Sequence, residues 1–153
     1  MPNRLLKVIA RQLQEMLRDP TPGISIEQDE FDPFLIHAIV DGPIETPFEG
    51  GKFKLELFCP KDFPHIPPKI RFITKVFHPN IDEHGRFCQT RMFRRDWSPA
   101  LWFIKLLVWV QALLSDPNLD DPVANDVAKL WKDNEEMAIH IAKQWTRTYA
   151  IGN

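Results

Sequence analysis

Cys88 is the residue of this chain best placed to do chemistry. It lies three residues after Gly85 and among four arginines, Arg86, Arg91, Arg94 and Arg95, and nearby positive charge raises the fraction of a thiol present as nucleophilic thiolate. The other cysteine, Cys59, follows an alternating apolar and charged run and precedes Pro60; it reads as a small buried hydrophobe. Local chemistry leaves three reactions of Cys88 open, beside a purely structural thiol in a packed loop. A cysteine protease needs a histidine base and a third group to orient it; His37, His65, His78, His84 and His140 are available, none in a recognisable local signature. A cysteine phosphatase finds its Cys-x5-Arg spacing in Cys88 and Arg94, but a phosphate cradle wants small residues, and the interior is Gln, Thr, Arg, Met and Phe. Thioester carriage asks least, because a thiol is already a fair nucleophile and leaving group for acyl exchange. Attack by an amine then needs a donor for the tetrahedral oxyanion. Asn80, eight residues before Cys88, offers a side-chain amide, its alternative being turn chemistry after Pro79.

Other constellations are excluded. The 6 glycines are scattered and none opens a helix after a strand, which removes a phosphate loop. Histidine and cysteine show no paired spacing for zinc, and no Gly-x-Ser-x-Gly elbow exists. The expectation is an enzyme without metal or cofactor. A length of 153 residues suits one domain, 1–153, with a full core, and 26% charged residues argue against disorder. The net charge of −2 gives no basic excess for nucleic acid. Two cysteines make no disulfide scaffold and fit a reducing compartment. The N-terminus shows no secretory apolar region. The longest apolar run, Leu106 to Val110, is far short of the ~20 residues that span a bilayer. An intracellular protein with no nucleic-acid or membrane partner is expected.

The elements that must hold Cys88 are mapped by the 14 prolines. Windows 3–19, 100–116 and 123–153 contain none, and proline breaks helix interiors. In the first window Leu5, Leu6, Ile9, Leu13, Met16 and Leu17 recur at helical spacing. The proline-rich middle reads as short strands at Phe34–Val40, Phe53–Phe58 and Lys69–Ile73, with a weaker one at Ile24–Glu27; Phe53 to Leu57 alternates apolar and charged, so one face is buried and one wet. Leu101–Leu114 is a helix apolar nearly all round, predicted to be buried. Two more helices are predicted at Val123–Lys132 and Glu135–Tyr149, the second with Met137, Ile141 and Trp145 as its stripe. Residues 74–99 have no clear period and exceed the roughly 12–15 residues at which unstructured loops become uncommon, so an ordered functional loop is expected. The sum is an α+β fold: N-terminal helix, four-stranded antiparallel meander, long active-site loop, three C-terminal helices.

Four ordered motifs carry a resemblance. His78-Pro79-Asn80, Cys88 eight residues after Asn80, Trp97-Ser98-Pro99-Ala100 and Asp120-Asp121-Pro122 resemble the signature of ubiquitin-conjugating enzymes. The likeness runs from the opening helix through Phe48-Glu49-Gly50-Gly51 and Phe63-Pro64 to Trp145-Thr146-Arg147-Thr148-Tyr149-Ala150, and it selects thioester carriage from the three reactions. It implies that Cys88 accepts ubiquitin from an activating enzyme, whose ATP use drives the step, and passes it to a lysine or a ligase cysteine. It implies that Asn80 supports the oxyanion or the loop that places it, and that His78, with Pro79, is structural. It implies, too, that Asp120 and Asp121 border the site, where a carboxylate would orient an incoming lysine and favour its neutral form. The same two residues suit the start of a helix after Pro122. RING-type or cysteine-type ligases and the activating enzyme are implied to meet Arg11, His65, Ser98 and Pro99, although Val8 and His65 stand where the family has a basic and an apolar residue.

Within the family, Phe53-Lys54-Leu55-Glu56-Leu57-Phe58 and Gln111-Ala112-Leu113-Leu114-Ser115 are similar to the member that builds lysine-63-linked chains as a heterodimer with an inactive conjugating-enzyme variant. That likeness implies a partner surface at Glu56, Phe58 and Arg71. Two departures bear on the acceptor. Gln89-Thr90 stands where the family usually has Leu and an acidic residue, and the stretch from Cys88 to Trp97 is one residue longer than in the lysine-63 builder; some members that serve only ligase cysteines share both features. Direct lysine discharge is put in question and the cysteine-to-cysteine route is untouched. The alternatives are a carrier for another ubiquitin-like modifier and a non-catalytic module of the same fold, the latter opposed by Cys88 itself. Cytoplasm and nucleus are the expected compartments.

Overall fold

The computed structural model describes residues 2–87 and 103–151. Helix α1 (Pro2–Arg18) buries Leu5, Ile9 and Met16 along one stripe. Leu17 departs from the predicted stripe and is 77% exposed. Gln12 takes a buried place instead: its Oε1 accepts the Phe103 N–H at 2.7 Å. This bond ties α1 to Phe103 across the core.

Four antiparallel strands follow in chain order, β1 (Ile24–Gln28), β2 (Leu35–Asp41), β3 (Lys52–Phe58) and β4 (Lys69–Phe72). The predicted meander is present, with strand ends moved by about one residue. Strand residues alternate between faces. Ile36, Ala38, Val40, Phe53, Leu55, Leu57, Ile70 and Phe72 point into the core at no more than 3% exposure. The other face carries cross-strand rows set by the register: Glu27, His37, Glu56 and Arg71 in one, Leu35, Phe58 and Lys69 in the next.

Helix α2 (Phe103–Ser115) packs Phe103, Leu106, Leu107, Val110 and Leu114 inward. Leu101 and Trp102, its predicted first residues, lie outside the described residues. Full burial is not observed, since Val108 is 43% and Trp109 36% exposed; Trp109 lies against the buried Phe87 ring, centroids 5.9 Å apart. Helix α3 runs over Asn125–Asp133 rather than from Val123. The N–H groups of Val123 and Ala124 both donate to the Pro79 carbonyl at 3.0 Å, which ties this segment to the loop at 78–81 and delays the helix. Asn134 caps α4 (Glu135–Trp145), its Oδ1 accepting the Met137 N–H, and a π-helical turn continues to Ala150. The buried stripe of this last segment is Ala138, Ala142, Thr146 and Ala150, and Met137 is 46% exposed. The predicted stripe of Met137, Ile141 and Trp145 is therefore off by one position. Small residues let the helix axis approach its neighbour closely, while Trp145 packs sideways, edge-on to Phe77 and Tyr149.

Candidate active site

The site is assembled around His78, whose side chain is completely buried. Its Nε2 donates to the Leu113 carbonyl near the end of α2 at 2.8 Å, and its Nδ1 accepts the Asn80 N–H at 3.0 Å. One ring nitrogen must donate and the other accept, so the imidazole is neutral with its proton on Nε2. Burial pushes its pKa down to about 4, against the Leu113 carbonyl, which favours the charged form. His78 thus serves no proton transfer near neutral pH. It joins its own loop to α2, and the Phe48 and Trp131 rings close over it.

Asn80 is 7% exposed, and three hydrogen bonds of its amide go to one loop. Nδ2 donates to the carbonyls of Asn118 at 2.8 Å and Asp121 at 3.2 Å, and Oδ1 accepts the Asn118 N–H at 2.8 Å. Both amide protons are used, leaving none for a substrate oxyanion in this arrangement. With the two bonds to the Pro79 carbonyl, five hydrogen bonds fasten residues 118–124 to residues 79–80. That loop carries Asp120 and Asp121. The structure brings Asn80, Pro79 and Asp121 into contact, with Asp120 beside them, its N–H held by Asn118 Oδ1 at 3.0 Å. Neither aspartate caps a helix: α3 starts at Asn125 and its N-cap is Ala124, without a side-chain bond. Asn118, the centre of this arrangement, was not singled out by sequence, although an Asx residue after Pro117 is a turn signal.

Asp82 organises the turn at residues 82–86. Its Oδ1 accepts the N–H groups of His84 and Arg86 at 2.9 Å each, and its Oδ2 meets Arg86 Nε at 3.1 Å. Partial burial pushes this carboxyl up, but the Arg86 and His84 N–H groups and the Arg86 guanidinium outweigh it and hold it below the usual range. Arg86 is therefore ion-paired with Asp82. Gly85, at φ 80°, makes the turn, and a Cβ there would meet the Phe72 carbonyl at 1.9 Å. Phe87 is buried edge-on against Phe72. Cys88 is the next residue in sequence and lies outside the described residues, as do Ser98 and Pro99.

Cys59 is 2% exposed; burial, with Asp32 nearby adding to it, pushes its thiol up to about 12. Arg11 is exposed on α1, and His65 is exposed in a turn closed by its N–H to the Asp62 carbonyl at 2.8 Å. Beneath that turn Phe63 is buried and stacked on Phe103. Phe58, Glu56 and Arg71 occupy the free face of the sheet, Phe58 40% exposed and Arg71 Nη2 3.4 Å from Glu56 Oε1. Among the described residues no group of three or more His, Cys, Asp or Glu side chains is placed to hold a metal ion, and no helix is long and apolar enough to cross a membrane.

Comparison with known proteins gives one answer. Residues 8–146 match the ubiquitin-conjugating enzyme family. The ubiquitin-conjugating enzyme E2 N of Macaca fascicularis is 49% identical over 153 residues, covering 100% of this chain and 97% of that protein. Its Drosophila melanogaster namesake is 51% identical over 151 residues, covering 99% and 97%. A Plasmodium yoelii crystal structure assigned as a ubiquitin-conjugating enzyme superposes with a TM-score of 0.92 at 38% identity, covering 97% of this chain and 96% of that one.

Proposed function

The chain belongs to the ubiquitin-conjugating enzyme family, and from that premise we propose that Cys88 is the thiol on which it carries ubiquitin. As a ubiquitin-conjugating enzyme it works with ubiquitin, an activating enzyme and a ligase. The observation that supports Cys88 is the state of the only other thiol, since Cys59 is sealed in the core. In the reaction the thiolate attacks the acyl carbon of ubiquitin's activated C-terminus, the activating enzyme's thiolate leaves, and a thioester is retained for transfer. Mixing the protein with activating enzyme, ATP and ubiquitin should give a one-ubiquitin adduct on a non-reducing gel that a thiol removes. Absence of the adduct from folded protein overturns the assignment.

Transfer to a lysine is the step on which Asp120 and Asp121 act, by orienting the amine and drawing off its proton. Asn80 contributes through the loop that presents them, because its donors are committed to Asn118 and Asp121. Asn80→Ala strips partners from two carbonyls and one N–H; at about 1 kcal/mol for each partly buried group, about 3 kcal/mol in all, this lowers the melting temperature of a chain of this size by roughly 6–12 °C. Discharge to free lysine should slow at least tenfold while exchange onto a small thiol stays within about twofold. Equal slowing of both reactions would assign the amide a purely structural part. With Thr90 where the family carries an acid, the ratio of discharge onto lysine and onto cysteine in the unmodified enzyme reports which ligase type it serves.

We infer a heterodimer with an inactive conjugating-enzyme variant, through Glu56, Phe58 and Arg71, and lysine-63-linked chains as its product. Phe58 supports this reading: a phenyl ring 40% exposed on the wet sheet face, beside a charged pair, has the make-up of an interface anchor. Phe58→Ala should weaken pairing at least tenfold in calorimetry, as truncated aromatic anchors do, with charging of Cys88 unchanged. Unaltered affinity removes the subtype.

A further inference from the structure

Phe31 is 88% exposed, the largest exposure of any large apolar side chain among the described residues. It sits at the tip of the β1–β2 connection, and that tip is tightly braced. Asp29 Oδ2 accepts the N–H groups of Phe31 at 3.0 Å and Asp32 at 2.9 Å, while Asp29 Oδ1 takes a hydrogen bond from His37 Nε2 at 2.6 Å. Asp32 Oδ1 accepts the Phe34 N–H, the Asp32 carbonyl accepts the Leu35 N–H, and Gln28 Nε2 donates to the Pro33 carbonyl. An aromatic side chain held out on a braced turn loses little further freedom on binding, the property of an anchor rather than of a loose loop.

Its position and charge specify what it meets. The connection re-enters the sheet at Leu35, whose cross-strand neighbour is Phe58, and the Cys59 N–H donates to the Phe34 carbonyl. The tip therefore continues the surface already assigned to the variant partner. From Asp19 to Gly51 the chain has no lysine or arginine but eight acids, namely Asp19, Glu27, Asp29, Glu30, Asp32, Asp41, Glu45 and Glu49. Glu27, Asp29, Glu30 and Asp32 surround the ring in sequence, whereas β3 and β4 present Lys52, Lys54, Lys69 and Arg71 on the same sheet. We propose that Phe31 is a second anchor of the heterodimer, seated in an apolar pocket of the inactive variant that is rimmed by lysine or arginine. This inference rests on the heterodimer reading above.

The test is calorimetry and stopped-flow association of the full-length protein with the inactive variant from the same organism. Phe31→Ala should reduce affinity at least tenfold with an unchanged melting temperature, since the ring makes no core contact. Glu27→Gln/Glu30→Gln should slow association about threefold at low salt and flatten its dependence on ionic strength. If the unmodified protein binds, Phe58→Ala weakens the complex and Phe31→Ala does not, the second anchor is refuted while the heterodimer stands. If the unmodified protein does not bind at all, both fall together. An association rate indifferent to salt and to the double substitution overturns the basic rim.

Discussion

With Cys88→Ala the thiol-labile ubiquitin adduct is expected to vanish, whereas Cys59→Ala should charge at the unmodified rate. Cys59 is withdrawn from reaction before any partner is considered. The Cys59 thiol is pushed up to about 12 by burial, which leaves a thiolate fraction on the order of 10⁻⁵ at pH 7. At 2% exposure it also lies where no polypeptide C-terminus reaches. Its replacement by alanine removes one buried sulfur and costs stability of about 1 kcal/mol. Cys88→Ala removes the nucleophile from a chain with no second competent thiol. Cys88→Ser should accumulate an adduct that thiol does not release, because an oxyester replaces the thioester. An adduct on Cys88→Ala would transfer the chemistry to Cys59 through local opening of β3. Loss of the adduct together with a fall in melting temperature of more than about 5 °C would make Cys88 a packing residue. An unchanged melting curve with no adduct separates catalysis from structure.

The sequence announced the sheet more clearly than the helices, for a physical reason. Phe53 to Phe58 alternates with period two, and a strand has only two faces, so the wet Glu56 and Phe58 and the buried Leu55 and Leu57 could be assigned without tertiary knowledge. A helix offers many faces. Met137, Ile141 and Trp145 share four-residue spacing with Ala138, Ala142 and Thr146, one position on, and side-chain size favoured the wrong set. Long-range hydrogen bonds account for the other differences. The start of α3 is set by the Pro79 carbonyl, and the buried Gln12 by the Phe103 N–H, neither of which leaves a local pattern. The same limit applied to the site. His78, Asn80 and Asp121 were legible through motif resemblance, and the geometry joined them. The part of the amide in bracing Asn118 was not legible. Arg86 was read from sequence only as one of the arginines flanking Cys88, and its pairing with Asp82 four residues earlier was not anticipated.

Acid should loosen this protein through His78 before it reaches most carboxylates. The folded imidazole has its pKa pushed down to about 4, from an ordinary value of 6.5 in the unfolded chain. Between those values the unfolded chain holds the extra proton, so stability is fully present above pH 6.5 and is lost as pH falls toward 4. At about 1.4 kcal/mol per unit, the loss across that window is on the order of 3 kcal/mol. The groups with lowered carboxyl values, Asp29 and Asp82, add their own losses only below about pH 4. Urea melts at pH 7 and pH 4.5 should show the decline, and His78→Phe should flatten it. That variant keeps an aromatic volume against Phe48 and Trp131 but leaves the Leu113 carbonyl and Asn80 N–H without partners, costing roughly 2–4 kcal/mol at pH 7. Should it fail to fold, a nitrogen-detected titration of the unmodified imidazole decides the matter, with an Nε2–H signal unchanged down to about pH 5. A midpoint near 6.5 would show His78 exchanging with solvent. That result would dissolve the link from α2 through His78 to Asn80, on which the position of the Asp120–Asp121 loop depends.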